Sequence, residues 1–200
     1  MNRIIPGGLT LGVLIWLVVP QMSWAKSEER AAFHEAQKQK REAHHAKQKQ
    51  EKEAFHKSLK DMLPEQRKQA MAQHRETEYQ KNKAFRDQLH TENMAFMKER
   101  LAKNTKMTDA QKTELIHFME NQYKDLTSFR EKQHSESVAF FEKIANDPNL
   151  TQEQKKTAIK EHMNAQREER KALHTAHKSE RQTFRKSLKP EVPVSKPIQS

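Results

Sequence analysis

The sequence predicts an all-α protein: four long helices in repeats of about 43 residues, packed as an antiparallel helical bundle or an elongated helical array. Three observations carry this expectation. Large side chains recur every 11 residues, glycine is absent after Gly12, and chain breakers fall between the periodic stretches rather than inside them. Eleven residues make three turns of α-helix with about 20° of drift, so such a row stays on one side of a nearly straight helix. Alternation of period two, which a strand requires, is not present.

The first row is Phe33, His44 and Phe55, and predicts a helix near 27–61. The second, His74, Phe85 and Phe96, predicts one over 64–103, with Pro64 at its start, where the missing N–H is harmless. Phe118, Phe129 and Phe140 define a third over 109–145, after the break at Asn104–Lys106. His162, Leu173 and Phe184 define a fourth over 152–189, after Asn146-Asp147-Pro148-Asn149. The repeat is also visible in composition. Phe55-His56-Lys57-Ser58-Leu59-Lys60 recurs as Phe184-Arg185-Lys186-Ser187-Leu188-Lys189, 129 residues on, which is three periods of 43. Phe85-Arg86-Asp87-Gln88-Leu89-His90 resembles Phe129-Arg130-Glu131-Lys132-Gln133-His134. The expected packing seam is therefore Phe33, Phe55, Phe85, Phe96, Phe118, Phe129, Phe140, Leu173 and Phe184.

The ends of the chain read differently. Arg3, the apolar run Leu9–Val19 and the closing Ser23-Trp24-Ala25 have the layout of a cleavable secretory signal over 1–25. The expected products are a helical domain over 26–189 and a disordered, Pro-rich tail over 190–200, in a periplasmic protein. Without residues 1–25 the chain has no Gly, Trp or Cys and a net charge of +10. Lacking cysteine, it has no disulfides, thiolate metal sites or thiol catalysis. Lacking glycine, it has no phosphate loop or strained catalytic elbow. Phe, Leu, Ile and Val make up only 25 of the remaining 175 residues, so the expected core is thin.

Eleven histidines raise the question of metal. Glu-x-x-His pairs occur at Glu42/His45, Glu53/His56, Glu114/His117 and Glu131/His134, with Asp87/His90 as a variant. Helical bundles hold di-metal centres with such pairs when they point inward. Here they sit about 100–140° around the helix from the seam rows, by the 3.6-residue turn. His44, His74 and His162 do lie on the rows, but lack a carboxylate three residues earlier. No structural metal, cofactor or catalytic residue is expected, and the protein reads as a non-enzyme. Weak zinc binding at the surface, for example by His174/His177, is a separate expectation.

Two helix starts share one pattern, Met107-Thr108-Asp109-Ala110-Gln111 and Leu150-Thr151-Gln152-Glu153-Gln154. The expected function of Met107, Thr108, Gln111, Leu150, Thr151 and Gln154 is a capping box: the Thr hydroxyl accepts from the N3 amide, and the Gln side chain accepts from the Thr amide. Met62-Leu63-Pro64-Glu65-Gln66 is a degenerate copy with Leu in the Thr position. With the signal and the Gly-poor basic helices, these motifs resemble the Spy/CpxP, or LTxxQ-motif, family of periplasmic helical proteins. That resemblance implies an envelope-stress protein acting as an ATP-independent chaperone, with unfolded or envelope proteins as partners and a homodimer as a compatible state. Longer helices and the 11-residue seam depart from that family's cradle. A basic surface also attracts anionic envelope polymers, the second expected class of partner, as a structural helical protein would. A metal or stress sensor partner is the third reading. Nucleic acid is not an expected partner of an exported chain.

Overall fold

The computed structural model describes residues 28–188, all but the connecting turns being helical. The helices are α1 (Glu28–Ser58), α2 (Pro64–Ala102), α3 (Asp109–Asn146) and α4 (Gln152–Ser187). The signal expected over 1–25 and the tail expected over 190–200 lie outside the described residues. At 31 to 39 residues the helices are roughly 46–58 Å long, from a rise of about 1.5 Å per residue.

The C-terminal ends of α1 and α4 come two to three residues before the expected ones, for a shared reason. In the repeated Phe-x-Lys-Ser segment, the Ser58 hydroxyl donates to the Phe55 carbonyl and the Ser187 hydroxyl to the Phe184 carbonyl, each at 2.8 Å. A serine bonding its own helix's backbone competes with the next helical turn.

The helix starts follow the capping rule. Thr108 Oγ1 accepts from Gln111 N at 3.2 Å and Gln111 Oε1 accepts from Thr108 N at 3.0 Å. The Thr151 and Gln154 distances are 3.3 and 2.8 Å. Leu63 has no side-chain acceptor, so α2 keeps half of the box, Gln66 Oε1 accepting from Leu63 N at 3.1 Å. A lost N-cap costs about 0.5–2 kcal/mol. Gln111 has a second role, its Nε2 donating to Leu188 O at 3.4 Å and tying the start of α3 to the end of α4. Met107, just before the cap, is buried in the core.

The helices run up and down, and the interhelical contacts join α1 with α2, α2 with α3, and α3 with α4. Apolar burial is uneven along this array. Leu101, Met107, Leu115 and Leu188 form one cluster where α2, α3 and α4 converge, bordered by Met97, Ile116, Met119 and Phe184. Leu115 is the fully buried side chain, at 1 % exposure. The opposite end has no comparable cluster among the described residues.

Candidate binding surfaces

The 11-residue rows meet in pairs. In the α1–α2 hairpin Phe33 stacks on Phe96 with ring centroids 4.0 Å apart, His44 on Phe85 at 3.9 Å and Phe55 on His74 at 3.8 Å. In the α3–α4 hairpin Phe118 stacks on Phe184 at 4.2 Å and Phe140 on His162 at 4.1 Å. Leu173 falls opposite Phe129 in the same register. These side chains are half-buried, so each layer excludes water only in part. The repeating unit in three dimensions is thus the hairpin, two of the 43-residue periods folded against each other.

Glutamine was not part of the expected seam, yet it joins the hairpins. Gln37, Gln122 and Gln133 are buried, four residues after Phe33, Phe118 and Phe129. Gln122 Nε2 donates to His177 O at 3.3 Å and to Glu180 at 2.8 Å, while its Oε1 accepts from Arg181 at 2.8 Å. Gln133 repeats the arrangement with Gln166 O, Glu169 and Arg170, at 2.9, 3.0 and 2.9 Å. In the first hairpin Gln37 Nε2 donates to Glu92 at 2.6 Å, but its buried Oε1 has no partner. The signal was present in the sequence: Gln37 and Gln48, like Gln122 and Gln133, are 11 apart. Ser137 also belongs here, in hydrogen-bond contact with His162 at 3.2 Å and Gln166 at 2.7 Å.

A second correction concerns His90 and His134, which lie off the Phe rows as expected but on a different interface, between α2 and α3. His90 stacks on Tyr123 and His134 on Tyr79, both with centroids 3.6 Å apart. Tyr79 and His90 are 11 residues apart, as are Tyr123 and His134, so antiparallel pairing sets each tyrosine on the other helix's histidine. The likeness of the segments around Phe85 and Phe129 is the basis of this self-complementary contact. Tyr123 donates to Asp87, and His134 is 2.8 Å from Glu76. Lys83 spans Asp87 at 3.2 Å and Glu131 at 3.8 Å. Lys98 pairs with Glu120 at 3.2 Å across the same two helices. Arg86 and Arg130 are near enough to Tyr79, Tyr123 and Asp87 to interact with them electrostatically. Burial, then the neighbouring Arg86 charge, brings the Arg130 guanidinium down to about 10.

Burial and the bond to Asp87 push the Tyr123 phenol up to about 12, and burial with the Glu131 charge also raises Tyr79. Because the folded state holds these protons more tightly, their contribution is complete below the ordinary value of 10.0 and is lost as pH rises toward about 12. These are the only two tyrosines in the chain, so tyrosinate absorbance reads this interface directly. Both are expected to titrate above 10.0 in the folded protein, and to converge on it in denaturant. A folded-state component at 10.0 would mean that the α2–α3 contact does not exclude water.

Exposed apolar groups mark the end opposite the core. Leu63, Met71, Val138 and Met163 are 66, 45, 46 and 48 % exposed. The up-and-down order places all four near the turns that join α1 to α2 and α3 to α4. Among the described residues no three His, Asp or Glu side chains are grouped as a metal ion would need, and no helix is long and apolar enough to cross a membrane.

Comparisons of the chain with protein-family models, curated proteins and solved structures find no match. The likeness to the Spy/CpxP family thus stands on the two capping motifs.

Proposed function

We propose that this chain is a periplasmic, ATP-independent holding protein that captures unfolded or acidic partner proteins by charge and retains them by apolar contact. The observation that carries the reading is the uneven apolar burial. One end of the array has a closed cluster, whereas the other leaves Leu63, Met71, Val138 and Met163 in solvent. Methionine suits loose, varied contacts because its unbranched thioether adapts to many surfaces. The net charge of +10 without residues 1–25 speeds encounter with acidic chains at long range, screened beyond about 8–10 Å at physiological salt. Short-range contact, needing no nucleotide, then holds the segment.

The test is light scattering of a denatured acidic protein diluted into buffer with and without the helical domain. Suppression of aggregation is expected, with early capture slowing as salt rises. The triple variant Met71→Ser, Val138→Ser, Met163→Ser changes exposed positions, so its helical circular dichroism should match wild type while suppression falls severalfold. No suppression at several-fold molar excess of wild type overturns the reading, and so does full suppression by the triple variant.

A further inference from the structure

The excess positive charge is not spread evenly. α4 has ten Lys and Arg against five Asp and Glu, whereas α3 has five against seven. α1 and α2 each have eight against six. α4 is also the last helix of the array, packed against α3 and against the end of α2, so most of its surface faces solvent.

Within α4 the charges are ordered. At 100° per residue, Lys156, Lys160, Arg167, Lys171, His174, Lys178 and Arg185 fall within about 60° of one another, on one side of the helix. From Lys156 to Arg185 the row covers 30 residues, roughly 44 Å. All are exposed except the half-buried Arg185. Two of α4's acids are turned away, Glu169 and Glu180 binding Gln133 and Gln122 against α3. Lys156 and Lys171 have neighbouring acids, Glu153 at 2.6 Å and Glu168 at 2.7 Å. Among the described residues, Lys160, Arg167, Lys178 and Arg185 have no carboxylate within ion-pair distance.

We propose that this side of α4 binds a linear polyanion with closely spaced phosphate or sulfate groups, recognised by charge alone. The row's chemistry selects among anions. Phe184 and His162 are turned into the α3 stacks, so the row offers no Phe, Tyr or Trp on which successive bases would stack. Met163 is the one large apolar group beside it, too little to anchor α4 in a lipid surface. What the row offers is a straight series of cations about 4–7 residues, or roughly 6–10 Å, apart. A chain carrying an anion on every unit meets all of them without a fixed register. The row meets the exposed apolar end at Met163 but runs on along α4 to Arg185, so it extends beyond the holding activity proposed above.

The experiment measures binding of inorganic polyphosphate and of heparin, the phosphate and sulfate arms, with single-stranded DNA of matched charge as competitor. Lys160→Gln, Arg167→Gln, Lys178→Gln, Arg185→Gln is compared with Lys47→Gln, Lys49→Gln, Lys52→Gln, Lys57→Gln, which removes the same charge from α1. The α4 variant should lose at least about tenfold in affinity at physiological salt. Its log–log salt slope should be shallower by about 3, by analogy with one released counterion per lost contact. The α1 variant should stay within about twofold, and both should keep wild-type circular dichroism and, at high salt where charge-driven capture is screened, wild-type aggregation suppression. Binding by one arm alone fixes the anion as phosphate or sulfate. Equal loss in both variants would overturn the proposal by showing attraction to net charge. So would no binding of either polymer, or DNA competing on equal terms, which would assign the row to nucleic acid.

Discussion

Leu115→Ala is expected to lower stability by about 2–5 kcal/mol, the range for emptying a fully buried leucine site. Leu115 is 1 % exposed, in the cluster where α2, α3 and α4 converge. At about 2–4 °C per kcal/mol for a chain of this size, the midpoint should fall by roughly 10 °C. Phe129→Ala removes a larger side chain but should cost less, because Phe129 and Leu173 opposite it are both only half-buried. A thermal melt of both variants decides the point. Equal losses, or a greater loss at Phe129, would show that the aromatic rows rather than the convergent cluster hold the array together.

The second large effect is expected at the buried glutamines, with opposite outcomes in the two hairpins. Gln122→Leu removes hydrogen bonds to the ionised Glu180 and Arg181 and to the His177 carbonyl. Bonds to charged groups contribute about 1.5–3 kcal/mol, and a bereaved carbonyl adds a desolvation cost, so a loss of about 2–3 kcal/mol is expected. Combining it with Gln133→Leu, 11 residues away on the same face, should approach the sum of the two. Gln37→Leu should be near neutral. Its Oε1 is buried without a partner, and Glu92 keeps Lys40 at 2.6 Å and Gln88 at 3.0 Å. Urea denaturation of the three variants is the measurement. A costly Gln37→Leu, or a neutral Gln122→Leu, would show that these glutamines are not what fastens the hairpins.

Mild acid should act on the same architecture. Burial lowers the His90 imidazole below its ordinary 6.5. Burial and the Arg30, Arg41 and Arg100 charges do the same at His34. A group with a depressed folded-state value supports the fold above the unfolded value, and that support is lost as pH falls below it.

Much of this fold was legible because it is local. Helix needs only the 3.6-residue turn, and the 11-residue rows carried it through a sequence with little apolar content. The breaks at Asn104–Lys106 and Asn146–Asn149 stopped α2 and α3 within a residue of the observed ends, whereas α1 ends three residues before the expected one. Thr108 and Thr151 were readable as caps because a capping box closes over four residues. The polar seam was harder to read. Gln37, Gln122 and Gln133 share the period of the phenylalanines, but an amide is buried only where a neighbouring helix supplies partners, which spacing along one helix does not reveal. For the same reason His90 and His134 were placed correctly off the Phe rows, while their own interface went unrecognised.

The sequence by itself determined the helices, their starts and the faces that had to be covered, since propensity, capping and periodicity act within a few residues. Only the tertiary structure decided which rows meet. It set Phe33 on Phe96 and Tyr79 on His134, closed the core around Leu115 at one end, and left Met71, Val138 and Met163 open at the other. It also left one side of α4 in solvent, with Lys160, Arg167, Lys178 and Arg185 outside any ion pair among the described residues, while Glu169 and Glu180 on the other side of the helix bind Gln133 and Gln122 of α3. Pairing of this kind depends on antiparallel register between segments 30 to 60 residues apart, and one helix holds no record of its neighbour's register.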